Sequence, residues 1–481
     1  MPGPERTSRP ALPFCACALF ATLVAGGCSL APTLRLPDVP VAENYKEPAP
    51  WTTAAPADAL PRDAWWSLYS DPDLDRLQQQ LVANSPDLAA ALARYNQAQA
   101  FSDQLHSGLF PSLLLSGSAD RARQSDTEPP TGTATPRYFN AYALGVEADY
   151  ELDLWGRVRN SVAAGDLSAR AAAADLESAR LSLQAELADN YIVLRGLDRQ
   201  AALLDDTVTA YGRALGLTRQ RHDAGIVPGL DVARAQTQLD TARSQRAQNL
   251  AQRALVEHAI ASLVGSSPSQ FTLAPRAAQL QVPGLPADVP SNLLQRRPDI
   301  AAAQRRTASA NASVGVARAA YFPAITLSGT YGYASTTSSD WLTAPNAAWS
   351  IGPSLLFDLF DAGKRKAQVA QARAALDEAG AQYRGVVLSA FQQVEDNLAL
   401  LHHYGIAAEA ERSAVMSAHQ SLDFAMDRYK EGAVSYLEVV QSQTTMLTAE
   451  QEALDLDTRQ LRASVGLIRA LGGGWTQSGG T

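Results

Sequence analysis

Cysteine is absent after position 28; the three present are Cys15, Cys17 and Cys28. A thiolate zinc site, a disulfide framework and a cysteine nucleophile in the body of the chain are thereby excluded. Lysine is scarce as well, supplying four of the 40 basic residues: Lys46, Lys364, Lys366 and Lys430. Composition alone gives that bias no role. Positive charge is in deficit, with 40 Lys+Arg against 49 Asp+Glu and a formal net charge of −9. Nucleic acid is a poor partner for such a chain, because phosphate binding needs a basic face. Gly-rich phosphate loops and a Gly-x-Ser-x-Gly elbow are missing, and the six histidines show no metal-ligand spacing with carboxylates. His402 and His403 are neighbours and are expected on different helix faces. An enzyme, a metal centre and a cofactor site therefore have no support.

Long apolar runs are confined to the N-terminus, roughly 11–25, after Arg6 and Arg9. A basic segment followed by a short apolar one is the layout of a secretory signal. It is short for a membrane-spanning helix, which needs about 20 apolar residues, and no later segment is longer. The segment ends Leu23-Val24-Ala25-Gly26-Gly27-Cys28-Ser29. Small residues before a lone cysteine resemble a bacterial lipobox, in which Cys28 would be acylated after cleavage of 1–27. Ser29, rather than Asp, resembles lipoproteins sorted to the outer membrane. An ordinary signal with an incidental cysteine is the plainer alternative.

The 481 residues would ordinarily suggest two or three domains. An internal duplication changes that reading. Ser85-Pro86-Asp87-Leu88 recurs as Arg297-Pro298-Asp299-Ile300, and Phe110-Pro111 as Phe322-Pro323, both at an offset of 212. Asp153-Leu154-Trp155 recurs as Asp358-Leu359-Phe360 at 205, and Gly156-Arg157 as Gly363-Lys364 at 207. Gly225-Ile226-Val227 and Leu230-Asp231-Val232 recur as Gly432-Ala433-Val434 and Leu437-Glu438-Val439, still at 207. Each copy reads helix, strand, strand, long helix, turn, helix. A Pro-rich connector, 266–292, joins them.

The strands alternate cleanly. Leu113, Leu115, Gly117 and Ala119 oppose Leu114, Ser116 and Ser118. Tyr142, Leu144, Val146, Ala148 and Tyr150 oppose Ala143, Gly145, Glu147, Asp149 and Glu151. The second copy repeats this with Ile325, Leu327, Tyr331 and Tyr333 against Thr326, Ser328 and Thr330, then Trp349, Ile351 and Leu355 against Ser350, Gly352 and Ser354. One apolar face with aromatics and one small, polar or acidic face suit a transmembrane barrel strand. A half-buried soluble sheet has the same period, and the pattern alone leaves both open. Four strands cannot close a membrane barrel, since the smallest have about eight. Transmembrane strands would have to be shared between subunits, and three chains would supply twelve.

Proline is absent from Arg157 to about Ala224 and from Lys364 to about Glu431. Each stretch gives a helix of about 100 Å at 1.5 Å per residue. Pairs four apart recur every seven residues, as in Leu183/Leu187, Asn190/Leu194, Leu204/Val208 and Tyr211/Leu215, then Ala390/Val394, Asn397/Leu401 and Tyr404/Ala408. That spacing is the seam of packed helices. Gly225 and Gly432 are expected to stop the long helices. Ser435 and Glu438 form an S-x-x-E capping box for the return helix.

Four motifs in combination resemble the TolC-type outer-membrane efflux protein family. They are Trp65-Trp66-Ser67-Leu68-Tyr69-Ser70-Asp71-Pro72; Tyr150-Glu151-Leu152-Asp153-Leu154-Trp155-Gly156-Arg157; the connector Pro283-Gly284-Leu285-Pro286 running on to Leu293-Leu294-Gln295-Arg296-Arg297-Pro298-Asp299-Ile300; and Arg428-Tyr429-Lys430-Glu431-Gly432 with Leu437-Glu438-Val439. More narrowly, they resemble the lipoprotein (NodT-type) branch serving resistance–nodulation–division (RND) pumps. The resemblance implies a mainly α fold with a β-barrel contribution, in which a homotrimer forms a twelve-stranded barrel and a periplasmic helical tunnel. It implies a passive exit duct in the outer membrane, anchored by lipid on Cys28 with no other cofactor. Its partners would be outer-membrane lipid, a periplasmic adaptor (membrane fusion) protein and an inner-membrane RND transporter. The domain order is then 1–27 signal, 28–70 lipidated extension, 71–265 first repeat, 266–292 connector, 293–472 second repeat and 473–481 tail. Glu147, Asp149 and Glu151 would face the barrel lumen. Around the turn glycines Gly225 and Gly432, the resemblance carries gate or tip roles to Asp231, Tyr429, Leu437 and Glu438. Gln441 stands where some relatives have a second acidic ring, and Val434 where some have arginine. Asp231 and Glu438 also lie in first turns of helices, where a carboxylate complements the helix dipole, so capping alone is the alternative role. A lipid-anchored coiled-coil adaptor and a protein-secretion duct are the competing functions. The duplicated strand pairs argue against the adaptor.

Overall fold

The computed structural model describes residues 29–39, 46, 51–52, 64–123, 125, 138–277, 279–283, 287–288 and 297–473. The expected signal, Cys28, Leu293 to Arg296, most of the tail, and parts of the 28–70 extension, of the connector and of the first strand loop lie outside the described residues.

From the helix that precedes the strands onward, the two copies share one element order among the described residues. The first holds α1 (Pro72–Asn84), α2 (Pro86–Ser107), β1 (Ser112–Arg123), β2 (Tyr138–Glu151), α3 (Arg157–Asp223) and α4 (Gly229–Leu263). The second holds α5 (Pro298–Ala319), β3 (Ala324–Ser335), β4 (Ala347–Leu356), α6 (Lys364–Lys430) and α7 (Tyr436–Ala470). The long helices α3 and α6 have 67 residues each, and both return helices have 35. Contacts divide the chain into two compact units, each drawing on both copies. Among the described residues, one falls within 29–37, 96–171 and 303–383, and the other within 38–95, 172–302 and 384–473.

The first unit is built on one antiparallel sheet in the order β1-β2-β3-β4. Its register sets Leu115 against Val146, Val146 against Tyr331, and Tyr331 against Trp349. Antiparallel partners share a face, so the apolar sets of all four strands merge into one apolar surface. Small residues let the helices of this unit approach closely. A Cβ on Gly165 would lie 2.6 Å from the Leu105 side chain. Residues 29–32 are tied to the same helices: Ser29 Oγ donates to Asn160 (2.9 Å), Arg318 donates to the Leu30 carbonyl (3.1 Å), and Asn311 donates to that of Pro32 (2.8 Å).

Both strand-to-helix junctions carry a carboxylate that caps the long helix. Asp153 accepts from the amides of Val158 (3.1 Å) and Arg159 (2.8 Å), and Asp361 from those of Gly363 (3.0 Å) and Arg365 (3.1 Å). The sequence offset paired Asp153 with Asp358. The cap in the second copy is Asp361 instead, because the offset lengthens by two residues inside this turn. Arg157 ties strand to helix through both Glu151 oxygens.

The second unit holds the largest core. Trp65, Tyr69, Leu74, Leu77 and Leu81 bury themselves against Leu187, Tyr191 and Leu194 of α3, Ile260 of α4, and Leu461 and Ile468 of α7. The Trp-Trp motif is therefore core, and Asp71 caps α1 through the amides of Asp73 (2.9 Å) and Leu74 (3.3 Å). The seam residues Leu187, Leu194, Leu204, Tyr211 and Leu215 of α3 and Ala390, Val394 and Ala408 of α6 are buried, as the seven-residue spacing requires. No helix among the described residues is long and apolar enough to cross a membrane. The rings of His402 and His403 meet edge to face at 5.1 Å, against the expectation of different faces. Both are exposed, so their side chains are free to lean together.

Candidate functional site: the strand faces and the hairpin tips

The polar strand face gathers its carboxylates as the alternation required. Glu147 pairs with Thr330, Asp149 with Ser328, and Glu151 with Thr326. Ser328 Oγ donates to Asp149 at 2.6 Å, and the Thr330 and Ser350 hydroxyls bond at 2.7 Å. Glu151 is neutralised by Arg157. The opposite face exposes Leu113, Leu115, Val146, Tyr331, Trp349, Ile351 and Leu355. A face of hydrogen-bonded hydroxyls and carboxylates suits water, and one of bare aromatics and aliphatics suits lipid. β1 and β4 are edge strands, each with one row of backbone groups that no strand among the described residues pairs. Lipid cannot satisfy those groups, so this sheet can span a membrane only if its edges join those of other chains.

The hairpin tips are built twice to one plan. Gly225 (φ 73°) and Gly432 (φ 79°) sit in the left-handed region, where a side chain is strained. Around them Gly225 N donates to the His222 carbonyl (2.8 Å) and Ile226 N to that of Arg221 (2.8 Å). Gly432 N donates to Tyr429 (3.0 Å) and Ala433 N to Arg428 (2.9 Å). This is the double carbonyl closure of a Schellman stop. Ser435 takes the cap position of α7, but its side chain makes no capping hydrogen bond. The expected capping box is therefore absent; the Glu438 amide donates to the Ser435 carbonyl at 3.2 Å instead.

Between the hairpins lies an apolar plug of Tyr211, Leu215, Ala235, Leu239, Ala425, Tyr429, Tyr436 and Val439. The rings of Tyr429 and Tyr436 stand 5.2 Å apart. Arg221, at the end of α3, lies 4.7 Å over the Tyr429 ring and donates to the Tyr429 carbonyl at 2.8 Å. It thus ties the end of one long helix to the end of the other. Asp231 is buried beside this plug and accepts from Arg234 at 3.4 Å, whereas Leu437, Glu438 and Gln441 are exposed. The five tip residues named from sequence therefore divide: Asp231 and Tyr429 face inward, the other three outward. Tyr436 and Arg221 were missed. Tyr436 had a signal, since it stands where the first copy has Gly229 and so breaks the repeat.

Burial pushes the Tyr436 hydroxyl up to about 12, with Tyr429, Tyr211 and Asp231 adding to the effect. Burial, then Glu450, pushes Tyr211 up to about 12 as well. The folded tip holds these protons more tightly than the unfolded chain does. Their stabilisation is whole below about pH 10, the ordinary tyrosine value, and is lost as pH rises through about 12. We expect helicity to fall between pH 10 and 12 as phenolate absorbance at 295 nm rises, and Tyr436→Phe to move that loss to higher pH. An unmoved transition would show that the tip tyrosines do not drive it.

A duplicated sheet with one lipid-facing and one polar surface, open at both edges and continued into paired long hairpins, defines a shared-barrel membrane duct. The chain belongs to the outer membrane efflux protein family, which matches residues 77–266 and 289–473. It is similar to Outer membrane protein OprJ of Pseudomonas aeruginosa, with 32% identity over 467 residues and 96% of both chains covered. It is also similar to Toluene efflux pump outer membrane protein TtgC of Pseudomonas putida, with 30% identity over 459 residues and 95% of both chains covered. The solved structure of the outer-membrane channel OprN superposes with a TM-score of 0.85 at 31% identity, covering 93% of this chain and 100% of that one. This chain is accordingly an outer-membrane efflux channel, as the four motifs implied.

Proposed function

We propose that three copies of this chain form the passive exit duct of a tripartite RND-type pump. A periplasmic adaptor and an inner-membrane transporter deliver small molecules to its hairpin tips, and the duct performs no chemistry of its own. The carrying observation is the four-stranded sheet with two unpaired edges and one bare apolar face. A lipid-anchored coiled-coil adaptor would have no use for it. Lipid on Cys28 anchors the chain beside its barrel, and the docking of residues 29–32 suits that role. Glu147, Asp149 and Glu151 line the lumen. Leu437, Glu438 and Gln441, on the exposed side of α7, line the constriction, while Asp231 and Tyr429 hold the hairpins together behind it. The exported compounds are small organic molecules, the class suggested by the toluene pump's channel.

The test is a heat-modifiable trimer in outer-membrane fractions. A single-chain mass in detergent, or fractionation with the inner membrane, would sink the reading. In planar bilayers, Leu437→Ala with Glu438→Ala should raise single-channel conductance. An unchanged value with the trimer intact would reject the constriction assignment.

A further inference from the structure

The repeat builds one aromatic joint inside the chain and leaves the parts of a second one bare. Residues 152–156 link β2 to α3 and carry Trp155 onto Phe322 and Pro323, the residues just before β3. Trp155 stacks on Phe322 at 4.6 Å and donates to the Pro323 carbonyl at 2.8 Å. The end of the second strand of one copy is thereby tied to the start of the first strand of the other. The same relation recurs once more, between β4 and β1, but these stand at opposite edges of the sheet. Both edges carry the matching parts. Leu359-Phe360 follow β4 as Leu154-Trp155 follow β2, and Phe110-Pro111 precede β1 as Phe322-Pro323 precede β3. Leu154 and Trp155 are half-buried, whereas Leu359 and Phe360 are 89% and 88% exposed. Phe110 is 71% exposed against 39% for Phe322. Three strand spacings, roughly 14 Å, separate the two edges, so the two halves do not meet within one chain. The turn that presents Phe360 is nonetheless shaped. Ala362 (φ 52°) and Gly363 (φ 92°) stand in the left-handed region, and Arg365 braces the turn by pairing with Asp361 at 2.6 Å.

We propose that Leu359 and Phe360 of one copy seat on Phe110 and Pro111 of the next, so that each seam between subunits repeats the joint inside the chain. This rests on the duct reading above and names the contact that closes the ring. Two observations select a second copy as the occupant. The seat for an aromatic ring at this place in the repeat is already seen, filled, at Trp155. The two bare halves also lie at the two sheet edges that need a neighbour. The seam differs from the internal joint in one respect. Phe360 has no N–H to offer the Pro111 carbonyl, so stacking alone holds it. In the first copy Arg157 adds a tie to Glu151, whereas in the second Arg365 spends its charge on Asp361 within the turn. The weaker of the two joints therefore falls between chains, where separate copies must come together.

The test places the photo-crosslinking residue p-benzoylphenylalanine at position 360 of the full chain in living cells. Irradiation should yield a crosslinked pair of chains, and peptide mapping should put the adduct on the segment carrying Phe110 and Pro111. The same residue at position 155 should mark the Phe322-Pro323 segment of its own chain and yield no pair. A phospholipid adduct at 360, a pair mapped to another segment, or no adduct at 360 beside the expected one at 155 would overturn the proposal. Phe360→Ala should lower the amount of trimer that survives heating in SDS about fivefold, the size of one lost aromatic pair. Phe360→Trp, which supplies a donor for the Pro111 carbonyl, should raise it. Survival of both variants at the unaltered level would overturn the joint as well. The unaltered chain is measured alongside. If it forms no trimer the duct reading fails, whereas an intact trimer in which position 360 marks lipid removes the joint alone.

Discussion

Asp198→Ala is expected to cost about 3 kcal/mol, at the lower end of the 3–5 kcal/mol for breaking a buried ion pair. Asp198 is 1% exposed and lies between two arginines. It accepts from Arg195 at 2.8 Å and from Arg253 at 2.6 Å, and also from the backbone amide of Arg276 at 3.0 Å. The arginines in turn hold the chain that leaves α4: Arg195 donates to the Ala274 carbonyl (3.0 Å) and Arg253 to that of Leu273 (2.7 Å). Removing the carboxylate leaves Arg195, itself 2% exposed, without its nearest counter-charge. Asp73 at 3.3 Å from Arg195 and Glu257 at 3.1 Å from Arg253 remain, which keeps the loss near the lower bound. The measurement is the shift in urea midpoint of the solubilised protein. Converting the pair together, with Arg195→Met and Asp198→Leu, should recover much of the loss, because no lone charge then stays buried. A loss below about 1 kcal/mol for Asp198→Ala would mean that water reaches the arginines.

Gly332→Val should nearly abolish the outer-membrane trimer. Gly332 lies in β3 opposite Gly145 of β2, where the two copies of the repeat meet. A Cβ there would stand 2.5 Å from the Leu144 carbonyl oxygen and 2.7 Å from the Gly145 Cα. Those are backbone atoms of the next strand, so they cannot swing aside, and the strands must part. Overpacking of this kind costs about 1–3 kcal/mol per chain, or about tenfold in properly paired sheet, and a ring of three chains compounds it. Gly352 is the matched control. It lies on the same polar face one strand away, and a Cβ there would meet nothing within 4 Å. Gly352→Val should therefore leave heat-modifiable trimer near the wild-type amount. Equal loss in both variants would put the blame on glycine's absence from a strand, not on close approach.

Much of this architecture was written in short-range pattern. The twofold alternation of β1 to β4 depends only on neighbours along the chain, and pairing Leu115 with Val146 or Glu147 with Thr330 preserves it. The stops at Gly225 and Gly432 are equally local, since the left-handed backbone itself selects the residue. What escaped depends on partners far along the chain. Tyr436 and Leu437 are adjacent, yet one is buried in the plug and the other exposed, a choice made by the opposite hairpin. Arg195 and Asp198 look like an ordinary surface pair three apart on a helix, and only α1, α4 and the connector bury them. Asp361 displaced Asp358 as the cap because two added residues moved the helix start relative to the repeat.

The unpaired edges of β1 and β4 have a genetic consequence. A chain whose edges cannot be satisfied alone commits its fate to its neighbours, so damage to one edge is inherited by the whole ring. An allele that spoils pairing but still folds would enter rings with normal subunits. At equal expression roughly one ring in eight would escape it. A deletion, by contrast, would only thin the number of rings. Missense lesions in these two strands should therefore behave as dominant, and the loss of the gene as recessive.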